Sequence, residues 1–223
     1  MALNKLKFNS INVTPSAGKV IQFDSGADGF ETASGGGSIK FIKKLTASSS
    51  ATLSFVDGTS SVVLDSTYKE YLFTFNNIHP SAESDLLFQA NVSGGADFNE
   101  TITSTFFRAY QNEAGSDTTL AYVAGLDQAQ GTAFSTLTDG IGSASNTVNN
   151  DDNASGYLRL FNPASTTFVK HFIGVTNQQN PAVYSVNNYF AGYFNTTSAI
   201  DEIQFKMASG NIDAGDICLY GIL

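Results

Sequence analysis

The sequence predicts an all-β chain: an antiparallel two-sheet β-sandwich of jelly-roll type, preceded by an extended N-terminal arm. Charged residues make up only 14% of the 223 residues, so several of the side chains that favour helices are scarce. The 18 Phe and 9 Tyr favour strands and supply apolar surface for a core. Twenty Gly against four Pro are typical of a chain with many tight turns.

Residues 1–38 are predicted to form an attachment arm. Short alternating segments, such as 20–23, are interrupted by glycines and end in the Ser/Gly run 34–38, which is typical of a linker. Because so short a segment buries too little apolar surface to fold alone, we expect it to be ordered only against another surface. That surface is either a particle or the chain's own sandwich. The predicted attachment residues are Lys5, Lys7, Lys19, Val20, Ile21 and Phe23.

Residues 39–223 are predicted to form the sandwich. Its clearest strand is 71–75, which has apolar residues at both phases, as expected of a strand covered on both faces. The strand region ends at Pro80, which cannot donate to a ladder. Further strands are predicted at 39–45, 51–56, 86–92, 101–110, 157–161, 167–175, 183–194, 200–207 and 216–222.

The segment 128–155 is predicted to be a long surface excursion with at most short local strands. It contains Gly131, Gly140 and Gly142, and its polar run 143–153 has few large apolar side chains.

Charge and composition restrict the partners. The net charge is −9, yet residues 1–44 hold six lysines against three acids, so the rest of the chain is strongly acidic. An acidic domain repels a polyanion, which argues against nucleic-acid binding. The longest apolar run, 217–223, is far shorter than the roughly 20 residues of a membrane span, so no membrane insertion is predicted. Cys218 is the only cysteine, which excludes an internal disulfide.

No catalytic residue and no organic cofactor are predicted, and the chain is not expected to be an enzyme. His79 and His171 are the only histidines, and neither accompanies a Gly-x-Ser-x-Gly nucleophile motif. Asp201 and Glu202 are adjacent on a predicted strand and point to opposite faces, so they cannot form a glycosidase pair by themselves. A depolymerase assembled from distant carboxylates is the enzyme alternative.

One loop offers oxygen ligands for a metal. Asp151 and Asp152 lie in the run 149–153, which is composed of Asn and Asp, and Ca²⁺ prefers such oxygen ligands. The run lacks the distal glutamate of a calcium loop, and Asn and Asp are also ordinary turn formers. Asp151 and Asp152 are therefore candidate Ca²⁺ ligands or turn residues.

An aromatic cluster within 184–194 has two interpretations. Tyr184, Tyr189 and Tyr193 lie near Asn187 and Asn188, and aromatic faces beside amide groups are typical of sugar-binding sites. Aromatic residues at both phases of a strand also fill a core on one side and a subunit contact on the other. The pattern is compatible with glycan contact and with packing.

Three blocks carry a resemblance to a known group of proteins. The closing segments 203–205 (IQF), 209–212 (SGNI) and 215–222 (GDICLYGI) resemble the end of a jelly-roll module in virion proteins of tailed bacteriophages. The block 68–80 (YKEYLFTFNNIHP) is similar to an early strand of that group. The opening segment 1–8 (MALNKLKF) resembles the start of tail-fibre and capsid-decoration proteins of marine phages.

The resemblance implies a multicopy virion component, often trimeric, that is anchored through its N-terminal segment. We therefore expect a non-enzymatic phage structural protein, a capsid decoration or tail-fibre component, located in the virion. Its expected partners are its own copies and other capsid or tail proteins. The alternative is a host-surface glycan-binding or glycan-cleaving module of the phage tail.

Overall fold

The structure, a computed structural model, describes residues 19–23, 26, 30–34, 38–142, 149–180 and 183–223. Strands make up 59% of the described residues, which include no helix. Every pair of neighbouring strands in the described part is antiparallel. The predicted all-β class is confirmed.

The chain divides into two compact units, Met1–Ser38 and Ile39–Leu223. In the first unit, β1 (Lys19–Phe23) and β2 (Phe30–Ser34) form a two-stranded hairpin. The rings of Phe23 and Phe30 stack with their centroids 5.0 Å apart, which is the cross-strand contact expected of directly opposed residues.

The second unit contains two sheets. The larger sheet has nine strands: β3 (Ile39–Thr46), β5 (Glu70–Pro80), β7 (Ile102–Asn112), β8 (Thr118–Tyr122), β9 (Ala129–Gly131), β11 (Ala154–Phe161), β12 (Lys170–Asn180), β13 (Tyr184–Phe194) and β15 (Ile212–Ile222). The smaller sheet has four strands: β4 (Leu53–Val56), β6 (Leu86–Val92), β10 (Ser135–Thr136) and β14 (Ile200–Met207).

The two sheets pack face to face through aromatic side chains. Phe55 of β4 contacts Phe73 of β5 edge-to-face, with ring centroids 5.3 Å apart. Phe88 of β6 contacts Phe172 of β12 in the same geometry at 5.0 Å. All four rings are buried, and such contacts add about 0.5–1.5 kcal/mol each beyond the burial of apolar area. The core of the unit therefore lies between the sheets.

The strand order supports the jelly-roll prediction, which stays a prediction. The larger sheet contains the order β3-β15-β5-β11, and the smaller sheet has the order β10-β6-β14-β4. Strands that are close in sequence, such as β3, β4 and β5, thus alternate between the sheets, and distant strands pair. A jelly roll consists of eight strands in two such sheets with Greek-key connections.

Two pairs of strands widen the larger sheet beyond β11. Strands β12 and β13 follow β11 as a hairpin, and β7 with β8 continues the order to β11-β12-β13-β7-β8. Gly174 and Gly192 lie opposite Phe190 and Phe172 across the β12–β13 pair. Each ring covers the glycine that faces it, so this inner face is filled although two of its positions lack side chains.

The segment 128–142 is not the surface excursion that the sequence predicts. Leu137 and Ile141 are fully buried in the main core. The Thr176 hydroxyl donates a hydrogen bond to the Leu137 carbonyl, and the Gln178 amide donates one to the Gly140 carbonyl at 2.8 Å. A few apolar residues and buried side-chain hydrogen bonds therefore hold a glycine-containing segment inside the fold.

Candidate interaction surface

The outer face of the larger sheet carries a broad apolar surface. Its side chains alternate with the core residues of the same strands and point away from the smaller sheet. We define the outer apolar face as the side chains of Phe107, Leu120, Tyr122, Tyr157, Ile173, Tyr189, Ala191 and Tyr193.

Ring stacking organises this face. Phe107 of β7 and Tyr189 of β13 are directly opposed and stack in nearly parallel planes, with centroids 4.9 Å apart. Beside them lies a concave region of about 490 Å³, whose lining residues include Phe161, His171, Ile173, Ala191 and Tyr193. Exposed apolar area on several adjacent strands is typical of a surface that another protein covers.

Few charges interrupt the face. Arg159 of β11 is paired with Glu70, with its Nη1 2.9 Å from Oε1. Near the β3 edge, the Lys44 Nζ lies 3.2 Å from Asp216 Oδ2. Apolar centres with paired polar groups are the usual composition of protein–protein contact surfaces.

The two edges of the larger sheet differ in how well their residues prevent pairing with a strand of another chain. Strand β3 forms one edge and carries Lys40, Lys43 and Lys44, and lysines on an edge strand discourage pairing with another chain. Strand β8 lies at the opposite end of the sheet, and its sequence Thr-Thr-Leu-Ala-Tyr has no charged residue and no proline. The β8 edge is therefore open to strand pairing.

The three predicted glycan-contact tyrosines do not lie together. Tyr189 and Tyr193 belong to the outer apolar face, where Tyr193 contacts His171 with ring centroids 5.8 Å apart. Tyr184 points to the opposite face of β13, because even-numbered positions of this strand face the core side. The predicted cluster is thus divided between two faces.

Tyr184 lies beside a polar cavity of about 410 Å³. Its hydroxyl donates a 2.8 Å hydrogen bond to Asp117 Oδ2, and this bond raises the pKa of the Tyr184 hydroxyl. Its ring contacts Tyr110 edge-to-face at 5.1 Å. The remaining lining is mostly amide and hydroxyl side chains, namely Gln111, Asn112, Asn177, Gln179 and Ser185, with Glu113 and Gln178.

The predicted metal ligands form a turn. Asp152 is buried, and its Oδ2 accepts a 2.7 Å hydrogen bond from the Asn149 amide. The Asp151 carbonyl accepts a hydrogen bond from the Asn153 side chain, and the Asp151 side chain is exposed. Within the described ranges, no three His, Cys, Asp or Glu side chains are grouped as a metal site requires. Ca²⁺ binding by Asp151 and Asp152 stays a prediction.

The remaining reactive side chains are separated. His79 lies 3.0 Å from the Asn149 carbonyl through Nε2 and 3.7 Å from Asp213 through Nδ1. His171 is on the outer face of β12, and Cys218 is buried in β15. These three side chains therefore take part in different local structures.

The described attachment residues lie on the exposed hairpin of the first unit. Every residue of β1 is exposed, and Val20, Ile21 and Phe23 are among the exposed large apolar side chains. Lys19 begins the strand, whereas Lys5 and Lys7 lie outside the described residues. Attachment through these residues stays a prediction.

No family model matches this chain, and no curated protein matches it. In the part of the chain that the structure describes, there is no long apolar helix of the kind that crosses a membrane.

Sequence reasoning missed strand β8 and with it the most exposed part of the outer apolar face. The available signal was short: Thr118–Tyr122 combines β-branched and aromatic residues directly after a Gly-containing turn. The sequence predicts a strand at 167–175, yet a single sequence does not tell which face of a strand with apolar residues at both phases lies against the core.

Proposed function

We propose that this chain is a non-enzymatic structural protein of a bacteriophage particle, exposed on the capsid or tail and anchored through its N-terminal arm. The observation that carries the proposal is the outer apolar face, which suits a protein partner better than a solvent-facing surface. The resemblance of the closing segments, of 68–80 and of 1–8 to phage virion proteins supplies the setting.

We assign a different role to each of the two units. The second unit has a large buried core. Its outer apolar face would contact the other copies of a trimer, the assembly that the resemblance implies. The hairpin of the first unit exposes Val20, Ile21 and Phe23 at its surface. Strand β1 would add to an exposed sheet edge of the particle, where backbone hydrogen bonds give affinity and side chains give register.

Deletion of residues 1–38 tests the anchor. We expect the truncated protein to remain folded and soluble but to be absent from particles assembled in its presence, as measured by mass spectrometry of purified virions. The matched control is the full chain with Lys69→Met, an exposed position of the second unit, which should be incorporated normally. Incorporation of the truncated protein at the control level would contradict anchoring through the arm.

Copy number separates the two positions on the particle. Hundreds of copies per virion would indicate capsid decoration, whereas a few copies would indicate a tail component. Complete absence of the full chain from purified virions would contradict the proposal as a whole.

A glycan-binding module of the phage tail is the second candidate, and the cavity beside Tyr184 is the observation that favours it. Amide side chains can donate to and accept from sugar hydroxyls, and an aromatic ring at the margin offers an apolar surface to a sugar ring. The cavity brings together Tyr184 and amides from β7 and β12, which the sequence does not show as neighbours.

Binding of host-surface oligosaccharides to immobilised protein tests this candidate. Tyr184→Ala should weaken binding at least tenfold, and Tyr189→Ala, on the opposite face, should leave it unchanged. Equal binding by both variants would exclude the cavity as the site. Release of reducing sugar from host polysaccharide by the wild-type protein would assign cleavage as well as binding.

A further inference from the structure

We infer that the β8 edge is a self-pairing surface, at which two copies of this chain join their larger sheets antiparallel about a two-fold axis through Leu120. This inference concerns the second unit alone and does not depend on a role in a virion. It is a contact separate from the trimer that the resemblance implies, because it involves the β8 edge, a fixed register and a two-fold axis.

The hydrogen-bond phase of β8 is fixed by its other neighbour. The Val123 amide donates to the Phe106 carbonyl at 2.9 Å, and the Asn112 amide donates to the Asp117 carbonyl at 3.0 Å. Because hydrogen-bonded pairs alternate along an antiparallel ladder, Thr119 and Ala121 also direct their backbone groups towards β7. Thr118, Leu120 and Tyr122 therefore direct their amide and carbonyl groups away from the sheet.

These three residues are spaced symmetrically about Leu120. In a second copy related by a two-fold axis at Leu120, Leu120 faces its own equivalent and Thr118 faces Tyr122. Each of these is a hydrogen-bonded type of pair, so about six backbone hydrogen bonds form and every outward donor meets an acceptor. A strand shifted by one residue would lack this match.

Side chains favour the same arrangement. Leu120 is 75% exposed and Tyr122 is 56% exposed, and both lie on the outer apolar face. In the proposed pair, the two Leu120 side chains are direct cross-strand neighbours, and the two apolar faces become continuous. No charged residue lies on the strand, so a second copy brings no like charge opposite its equivalent.

The β3 edge provides the internal comparison. A second copy paired at β3 would bring Lys40, Lys43 and Lys44 close to the same lysines, which opposes pairing. The β8 edge can therefore pair with the β8 edge of a second copy, whereas the lysines oppose the same pairing at the β3 edge.

Cysteine cross-linking of the full chain tests the register. Directly opposed residues in a hydrogen-bonded antiparallel pair have Cα atoms about 5.5 Å apart. Their Cβ atoms are farther apart than the roughly 4 Å of a relaxed disulfide, so a short bismaleimide is the suitable cross-linker. With this reagent, Leu120→Cys should give a covalent dimer of twice 23.6 kDa in high yield. The native Cys218 is buried in the sheet, so the wild-type chain should remain uncross-linked.

Phe41→Cys is the matched control, because Phe41 is an exposed apolar residue (61%) on the opposite edge of the same sheet. It should cross-link only at the slow rate of random collision. Equal rates for Leu120→Cys and Phe41→Cys would overturn the inference.

Sedimentation across micromolar to submillimolar concentrations measures the association itself. An edge of five residues is a small contact, so we expect a concentration-dependent dimer rather than a permanent one. Leu120→Lys should weaken dimerisation at least tenfold, and Phe41→Lys should leave it unchanged. A wild-type chain that is monomeric throughout, or an association that Leu120→Lys does not change, would overturn the inference. If deletion of residues 1–38 abolished the association, pairing would belong to the arm and the inference would fail while the anchor proposal stood.

Discussion

Tyr71 is the residue at which burial has the clearest chemical consequence. Its side chain is fully buried in β5, and its hydroxyl donates a 2.8 Å hydrogen bond to the Asp65 carbonyl. Burial, together with the nearby Asp65 carboxylate, raises the pKa of the Tyr71 hydroxyl well above its ordinary value near 10. The folded state therefore resists ionisation that the unfolded chain undergoes.

This difference sets the pH dependence of a Tyr71→Phe variant. A raised pKa in the folded state stabilises the fold below pH 10, and that contribution is lost as the pH rises above about 10. At pH 7 the variant should lose about 1 kcal/mol of unfolding free energy, the net value of one hydrogen bond. Between pH 10 and 11 the deficit should shrink, because the phenylalanine cannot ionise.

Urea unfolding at pH 7 and at pH 11 checks this prediction. Tyr157→Phe, an exposed tyrosine of the outer apolar face, is the control and should follow the wild-type pH profile. A deficit for Tyr71→Phe that is the same at both pH values would contradict the linkage.

Lys170 is a buried cation whose ammonium group is bound by backbone carbonyls. Its Nζ donates to the Thr196 carbonyl at 3.2 Å and to the Ser198 carbonyl at 2.5 Å, and burial lowers the pKa of this ammonium group. The bonds connect β12 to the segment that leads into β14. The side chain thus links two segments of the chain through hydrogen bonds.

Lys170→Met keeps the apolar stem and removes the donor. Two carbonyls would lose a partner, so we expect the free energy of unfolding to fall by about 1–3 kcal/mol. Thermal or urea unfolding measures the loss, with Lys69→Met, an exposed lysine, as the control that should change little. Equal stability of the two variants would show that water replaces the lost donor.

At the scale of elements, the β12–β13 hairpin depends on glycines that rings cover. A Cβ added at Gly192 would lie 2.5 Å from the Thr103 carbonyl oxygen and 2.7 Å from the Phe172 ring. The first of these neighbours is backbone of β7, which cannot move without disturbing the ladder between β13 and β7. The hairpin and the strand beside it are therefore sensitive to a single methyl group.

Gly192→Ala should lower the unfolding free energy by about 1–3 kcal/mol, the usual cost of overpacking a core. Gly125→Ala is the matched control, because nothing lies within 4 Å of its added Cβ. Denaturant unfolding of both variants measures the difference. A neutral Gly192→Ala would mean that the sheet relaxes around the new methyl group.

The elements also show how far sequence reasoning extends. Strands with β-branched and aromatic side chains at both phases, such as β5 and β13, were located because that composition is local. The sequence did not show which strands share a sheet, because pairing partners can be distant in sequence: β3 pairs with β15, the last strand of the second unit. Which of Tyr184 and Tyr189 lies on the core side depends on the phase of β13, and the contact of Phe194 with Phe88 of β6 shows that phase.

At the scale of the whole molecule, the two units should unfold independently. The second unit has its own core between two sheets, and the hairpin of the first unit has an exposed strand β1. Deletion of residues 1–38 should therefore leave the melting temperature of the second unit within about 2 °C of that of the full chain. A change of about 1 kcal/mol in the free energy of unfolding would shift it by more than this. Calorimetry measures this, and a large decrease would show that the arm stabilises the sandwich.

The pairing of β3 with β15 has a consequence for the route by which the chain reaches its fold. Ile39 pairs with Ile222, and Thr46 pairs with Asp216, so nearly the whole second unit separates the partners in sequence. Such high contact order slows folding, because the entropy of closing a long loop is lost before the contact forms. During synthesis β3 is made long before its partner β15, and we expect its lysines to oppose pairing with other chains in that interval. We therefore expect refolding on a timescale of milliseconds to seconds.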